Sequence, residues 1–269
     1  MTRGFIRLAV LGFLVVGVGY GAFAAESSSS AASTASLGDG AVDVRLGGLV
    51  FEAGADVALE FAQDPGVDCF DGGVLVERLA LIDGVGHPVH EVVYETAVDA
   101  DVWLGRVGLR DADGLPLPPG AYRLEVATSV GSFAVEIEIT DATSLRALGR
   151  FSATASVCGL SLRVYRLVTE ADGGAHLAIR VGDRLLVALE GNPTTGYEWL
   201  NAALYEYAIL RESEEREFRP DSDLIGSGGV FLFRYETVDV GPQAFRFVFQ
   251  RPWESVQPLE VLEFTVDVY

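Results

Sequence analysis

The chain contains no lysine. All nineteen basic residues are arginine, set against thirty-nine Asp and Glu, and the formal charge is −20. A surface this acidic repels nucleic acid and anionic lipid, so neither is an expected partner. It suits an exported protein kept soluble by charge, or one facing high salt. Histidine and cysteine are scarce as well, with three and two copies. His87 and His90 are three apart in a strand-like segment, so they point to opposite faces and do not chelate together. His176 is the only histidine near Cys158 in sequence, and no Cys–His pair is indicated. No G-x-S-x-G element occurs. Asp111-Ala112-Asp113-Gly114 opens like a calcium loop but lacks the remaining ligands, and reads as a surface turn. These absences leave no catalytic constellation and no metal or cofactor site, so an enzyme is not expected.

The one long apolar run lies at the start. Arg3 and Arg7 precede an apolar stretch beginning at Leu8, and Ala22-Phe23-Ala24 forms a small-residue cleavage site. Residues 1–24 are expected to be a signal peptide and 25–40 a flexible Ser/Ala-rich spacer. The mature protein is then exported, to a periplasm or beyond, without a stable membrane anchor. In such an oxidising compartment Cys69 and Cys158 either form a disulfide or stay as two buried thiols. Both readings stand.

The remainder has the period of β-structure. Phe133, Val135, Ile137 and Ile139 alternate with Ala134, Glu136 and Glu138. Phe245, Phe247 and Phe249 alternate with Arg246 and Val248, as do Leu262, Phe264, Val266 and Val268 with acidic and Thr residues. Gly, Pro and Asp turns recur between these runs. Pro119-Gly120-Ala121-Tyr122 is a weak sign of the tyrosine corner of immunoglobulin-like domains. The expected fold is all-β, with two tandem immunoglobulin-like β-sandwich domains at 41–141 and 161–269. The stretch 142–160 is expected to link them, either extended or with a short helix. Residues 205–218 read as strand with a polar excursion.

Three turn motifs stand out in the last eighty residues. The first is Asn192-Pro193-Thr194-Thr195-Gly196-Tyr197, the second Gly226-Ser227-Gly228-Gly229, the third Arg251-Pro252-Trp253. Pro193 fixes φ and holds Asn192 extended, while Gly196 permits a positive φ. Tyr197 and Trp199 share a strand face and can anchor the first turn. Neither a Lys-Ser/Thr pair nor a helix follows Gly226–Gly229, which excludes a P-loop. Trp253 sits at a strand end, where a large aromatic is costly unless covered. Each motif alone could be an ordinary turn or an internal packing pair.

Together, in this order and spacing, they resemble the chagasin family of inhibitors of papain-like cysteine peptidases, over roughly Arg163 to Tyr269. The resemblance implies that the three turns form a wedge entering the peptidase cleft. Thr194 and Thr195 would sit nearest the catalytic centre, and Trp253 on an aromatic wall. The partner implied is a papain-like cysteine peptidase. The resemblance leaves the N-terminal domain without a role, and removing it is expected to change little. The alternative is a non-inhibitory exported binding module for adhesion or envelope assembly. Exposure of Trp253 beside the first turn separates the two readings.

Overall fold

The computed structural model describes residues 7–8, 34–38, 41–63, 74–99, 103–140, 154–157, 160–203, 208–222 and 224–269. The N-terminal half contributes β1 (Arg7–Leu8), β2 (Thr34–Gly38), β3 (Ala41–Glu52), β4 (Asp56–Gln63), β5 (Leu75–Asp83), β6 (Pro88–Asp99), β7 (Leu104–Gly108), β8 (Gly120–Thr128) and β9 (Gly131–Thr140). Then come β10 (Thr154–Val157), β11 (Leu160–Val168), β12 (His176–Ile179), β13 (Arg184–Gly191) and β14 (Glu198–Asn201). The chain closes with β15 (Leu210–Glu212), β16 (Glu217–Pro220), β17 (Gly229–Thr237), β18 (Gly241–Gln250) and β19 (Glu260–Val268). Of the expected leader only β1 falls among the described residues, paired with β2. Cys69, Cys158 and the stretch 141–153 lie outside them.

The alternation read from the sequence is the alternation of the cores. Phe133, Val135, Ile137 and Ile139 enter the N-terminal core beside Tyr122, Leu124 and Val126. Phe245, Phe247 and Phe249 enter the C-terminal core beside Leu262, Phe264, Val266 and Val268. The Tyr122 hydroxyl donates to the Pro118 carbonyl at 3.1 Å, which makes the expected tyrosine corner real. One sheet of the N-terminal sandwich has the order β1-β2-β3-β9-β8-β5-β6. One sheet of the C-terminal sandwich has the order β12-β19-β18-β14. Of residues 205–218, those described, from 208 on, hold β15 and the start of β16 on either side of a polar loop, as expected; 205–207 lie outside the described residues.

The facing sheets of the two sandwiches are a single sheet, ordered β15-β17-β13-β11-β4-β7. β11 is the shared strand. Along Leu160 to Leu167 it pairs antiparallel with β4. Its last three residues, Arg166 to Val168, pair parallel with β13. Accordingly Leu160, Leu162 and Val164 enter the N-terminal core, whereas Val168 enters the C-terminal one. The stretch expected to link the domains ends in a β10–β11 hairpin, not in free chain. A one-sided alternation could not reveal this, because β11 changes the core it serves partway along its length.

Charge is buried across the junction. Glu60 on β4 and Arg234 on β17 are each 3% exposed. The Glu60 carboxylate accepts from Arg234 Nε at 3.0 Å, Arg219 Nη2 at 2.7 Å and the Tyr165 hydroxyl at 3.0 Å. Glu217 accepts from Arg219 and Arg234, and Glu214 pairs with Arg163. Burial alone would raise the Glu60 carboxyl, but the bonds and charges of Arg234, Arg219 and Tyr165 outweigh it and hold it below its ordinary value. Burial, with the Glu60 charge, pushes the Tyr165 hydroxyl up to about 12. A cluster of this kind adds little net stability over an apolar core, yet losing one partner strands a charge.

Candidate functional site

The first turn joins β13 to β14, in opposite sheets. Pro193–Thr195 form one 3-10 turn, with Asn192 extended at φ −141° and Gly196 left-handed at φ 83°. Asn192 holds the turn together. Its Oδ1 accepts from the Thr194 amide at 3.0 Å and the Thr194 hydroxyl at 2.6 Å. Its carbonyl accepts from the Thr195 hydroxyl at 2.6 Å. The base of the turn is anchored as the spacing predicted. The Tyr197 and Trp199 rings both pack on Phe249, at 5.4 and 5.1 Å. Trp199 is buried, and its indole N–H donates to the Glu190 carbonyl at 2.8 Å.

The second turn closes between β16 and β17. Asp221 N–H donates to the Gly228 carbonyl at 2.9 Å, and Ser227 N–H to the Leu224 carbonyl at 3.0 Å. Gly229 is required by space: a Cβ there would lie 2.2 Å from the Arg219 carbonyl oxygen. The turn is thus hydrogen-bonded across its base. The third turn begins at Arg251, past the end of β18, and Trp253 stands out from it, 68% exposed.

These three turns meet. The Asn192 amide nitrogen donates to the Gly226 carbonyl at 2.9 Å, tying the first turn to the second. Arg251 ties the first to the third: Nη2 donates to the Thr195 carbonyl at 3.2 Å, and the guanidinium lies 4.7 Å over the Tyr197 ring. Glu254 accepts from Arg251 Nη1 at 2.9 Å and fixes its direction. The Trp253 ring covers Gly196 so closely that a Cβ there would lie 2.7 Å from it. The structure thus brings together Asn192, Pro193, Thr194, Thr195, Gly196, Tyr197, Gly226, Arg251 and Trp253. Ser227, Gly228 and Gly229 form the base of the second turn, and Pro252 lies exposed beside Trp253.

Two residues of the stretch Pro220–Ile225, whose sequence before the glycines also resembles the family, belong to this end although they were not among the expected contact residues. Leu224 and Ile225 are both exposed, Ile225 completely. Their signal was legible: an apolar pair set between Asp221-Ser222-Asp223 and the glycines, with no alternation to bury it. The outer rim therefore presents Thr194, Thr195, Leu224, Ile225 and Trp253, while Asn192 and Arg251 spend their polar atoms inward. A preordered apolar and hydroxyl-bearing edge can enter a cleft at low ordering cost. Among the described residues no cluster of His, Cys, Asp and Glu could hold a metal ion.

The family described as chagasin family peptidase inhibitor matches residues 178–268. Chagasin of Trypanosoma cruzi is 35% identical over 94 residues, which are 32% of this chain and 81% of that protein. Amoebiasin-2 of Entamoeba histolytica is 25% identical over 114 residues, 42% of this chain and 92% of its own length. A crystal structure of a cysteine protease inhibitor from Entamoeba histolytica aligns with 26% identity and a TM-score of 0.34, covering 38% of this chain and 94% of that one. Through its C-terminal sandwich, this chain belongs to the chagasin family of peptidase inhibitors.

Proposed function

We propose that the chain is a reversible inhibitor of papain-like cysteine peptidases, acting through the rim formed by the three turns. The observation that carries this reading is the exposed Trp253 packed over Gly196, at the edge of a cross-braced set of turns. An aromatic that exposed is an unfilled contact in a monomer and a candidate anchor in a complex. A papain-like cleft cleaves peptides held extended. Residues 193–195 are instead in a 3-10 turn, and the Asn192 carbonyl is already engaged by Thr195. Such a backbone reaches a thiolate without presenting an extended scissile bond, so the inhibitor leaves uncut. Thr194 and Thr195 face the catalytic centre in this arrangement. Trp253 covers one wall of the cleft, and Leu224 and Ile225 the other. Export after cleavage near Ala24 would place the protein where secreted peptidases act.

The test is protection of the peptidase thiol. Papain saturated with the chain should resist alkylation by iodoacetamide, and dissociation should return both proteins intact. Alkylation at the free-enzyme rate, or inhibitor cut within residues 192–197, would overturn the reading.

A further inference from the structure

We infer that Glu60, in the N-terminal sandwich, is a positioning residue for the second turn of the inhibitory rim, acting through Arg219. This rests on the inhibitory reading above. β16 is four residues long and, among the described residues, pairs as a strand with β17 alone. A strand so short, paired on one edge, frays readily unless its side chains hold it. It leads directly into the turn that carries Leu224 and Ile225. Its exposed end is fixed from outside the C-terminal sandwich: Arg219 Nη2 reaches Glu60 at 2.7 Å, two residues before Asp221 closes the turn.

The far side of that contact is rigid. Glu60 lies on β4, which pairs with β11 from Leu160 to Leu167, and it is held as well by Arg234 on β17. One carboxylate therefore bridges β16 and β17, the two strands that flank the turn. Glu217, also on β16, accepts from Arg219 and Arg234 and repeats the bridge. The hairpin leaves no slack at this level, since the Arg219 backbone lies against Gly229 with no room for a Cβ. Position 60 is outside the family match at 178–268, so this brace is an addition made by the N-terminal sandwich. The added domain holds the grip of the inhibitor in place instead of merely trailing from it.

The experiment uses the full chain and two variants. Glu60→Gln removes the charge at the centre of the brace. Arg219→Gln, at a partly exposed position, removes the arginine link from β16 to Glu60, together with its bond to Glu217, and leaves Glu60 paired with Arg234. Each is read by papain inhibition and by amide hydrogen exchange at Asp221 and Ser227. Either variant is expected to speed exchange at those two amides, to leave Thr195 and Gly196 unchanged, and to weaken inhibition about tenfold. In an Ile225→Asp background, where the second turn has already lost its apolar contact, Arg219→Gln should cost nothing further. Equal losses in both backgrounds would show general destabilisation and overturn the assignment. So would unchanged exchange at Asp221 and Ser227 in both variants. If the unaltered chain fails to inhibit papain, the inhibitory reading falls, and the exchange measurement still decides whether Glu60 orders the turn.

Discussion

Gly196→Ala separates two effects that one glycine usually confounds. Gly196 and Gly226 are both left-handed, at φ 83° and 86°. An alanine at either costs about 1–2 kcal/mol from the conformation alone. Beyond that they differ. A Cβ at 226 meets nothing within 4 Å, whereas at 196 it lies 2.7 Å from the Trp253 ring. The ring must therefore shift from its seat on the first turn in Gly196→Ala and has no steric cause to move in Gly226→Ala. Loss of a central aromatic anchor costs about 2 kcal/mol or more in binding, roughly 30-fold in Kd. Both variants should lower the thermal midpoint to a similar extent. Papain inhibition by Gly196→Ala should weaken about 30-fold beyond any change in Gly226→Ala. The decisive arm is the double variant: with Trp253→Ala already made, Gly196→Ala has no ring to displace, so its extra effect on inhibition should vanish. Additive losses across that cycle would refute the claim that Gly196 works by seating Trp253.

Other outcomes follow from the same geometry. Phe247→Ala, in the stacked core with Phe245 and Phe264, should cost about 3–5 kcal/mol in urea unfolding without altering the rim's composition. The Glu60 carboxyl is held below its ordinary 4.5, so its contribution to stability is present above that pH and is lost as pH falls through the lower folded value. Urea midpoints measured from about pH 6 to about pH 3 should fall less steeply in Glu60→Gln than in the unaltered chain. A chain beginning at Leu160 should self-associate on size exclusion and melt earlier. Its β11 residues Leu160, Leu162 and Val164 would have no core to enter; a monomer with an unchanged melt would contradict the shared-strand architecture.

That last outcome would run against the expectation formed from the sequence, that the N-terminal domain could be removed at little cost. The reason is physical. Period-two alternation identifies a buried face, and it did so correctly for Phe133–Ile139 and Leu262–Val268. It does not say which core that face enters, and β11 enters two. Nor does sequence spacing pair Glu60 with Arg234, 174 residues away. The turns were more legible because their chemistry is local. Pro193 and Gly196 dictate their own backbone, and Tyr197 and Trp199 share a face at any strand twist. The bracing by Asn192 and Arg251 was not legible, since it depends on loops from different strands meeting at one end. Those two residues read from sequence as contacts for a peptidase, and the structure adds the hydrogen bonds by which they hold the turns together.

The most direct measurement is titration of active papain with the full, purified chain. Residual activity should fall linearly to zero at one inhibitor per active site, with a dissociation constant on the order of nanomolar. Papain fully active in the presence of micromolar folded chain would contradict the inhibitory function.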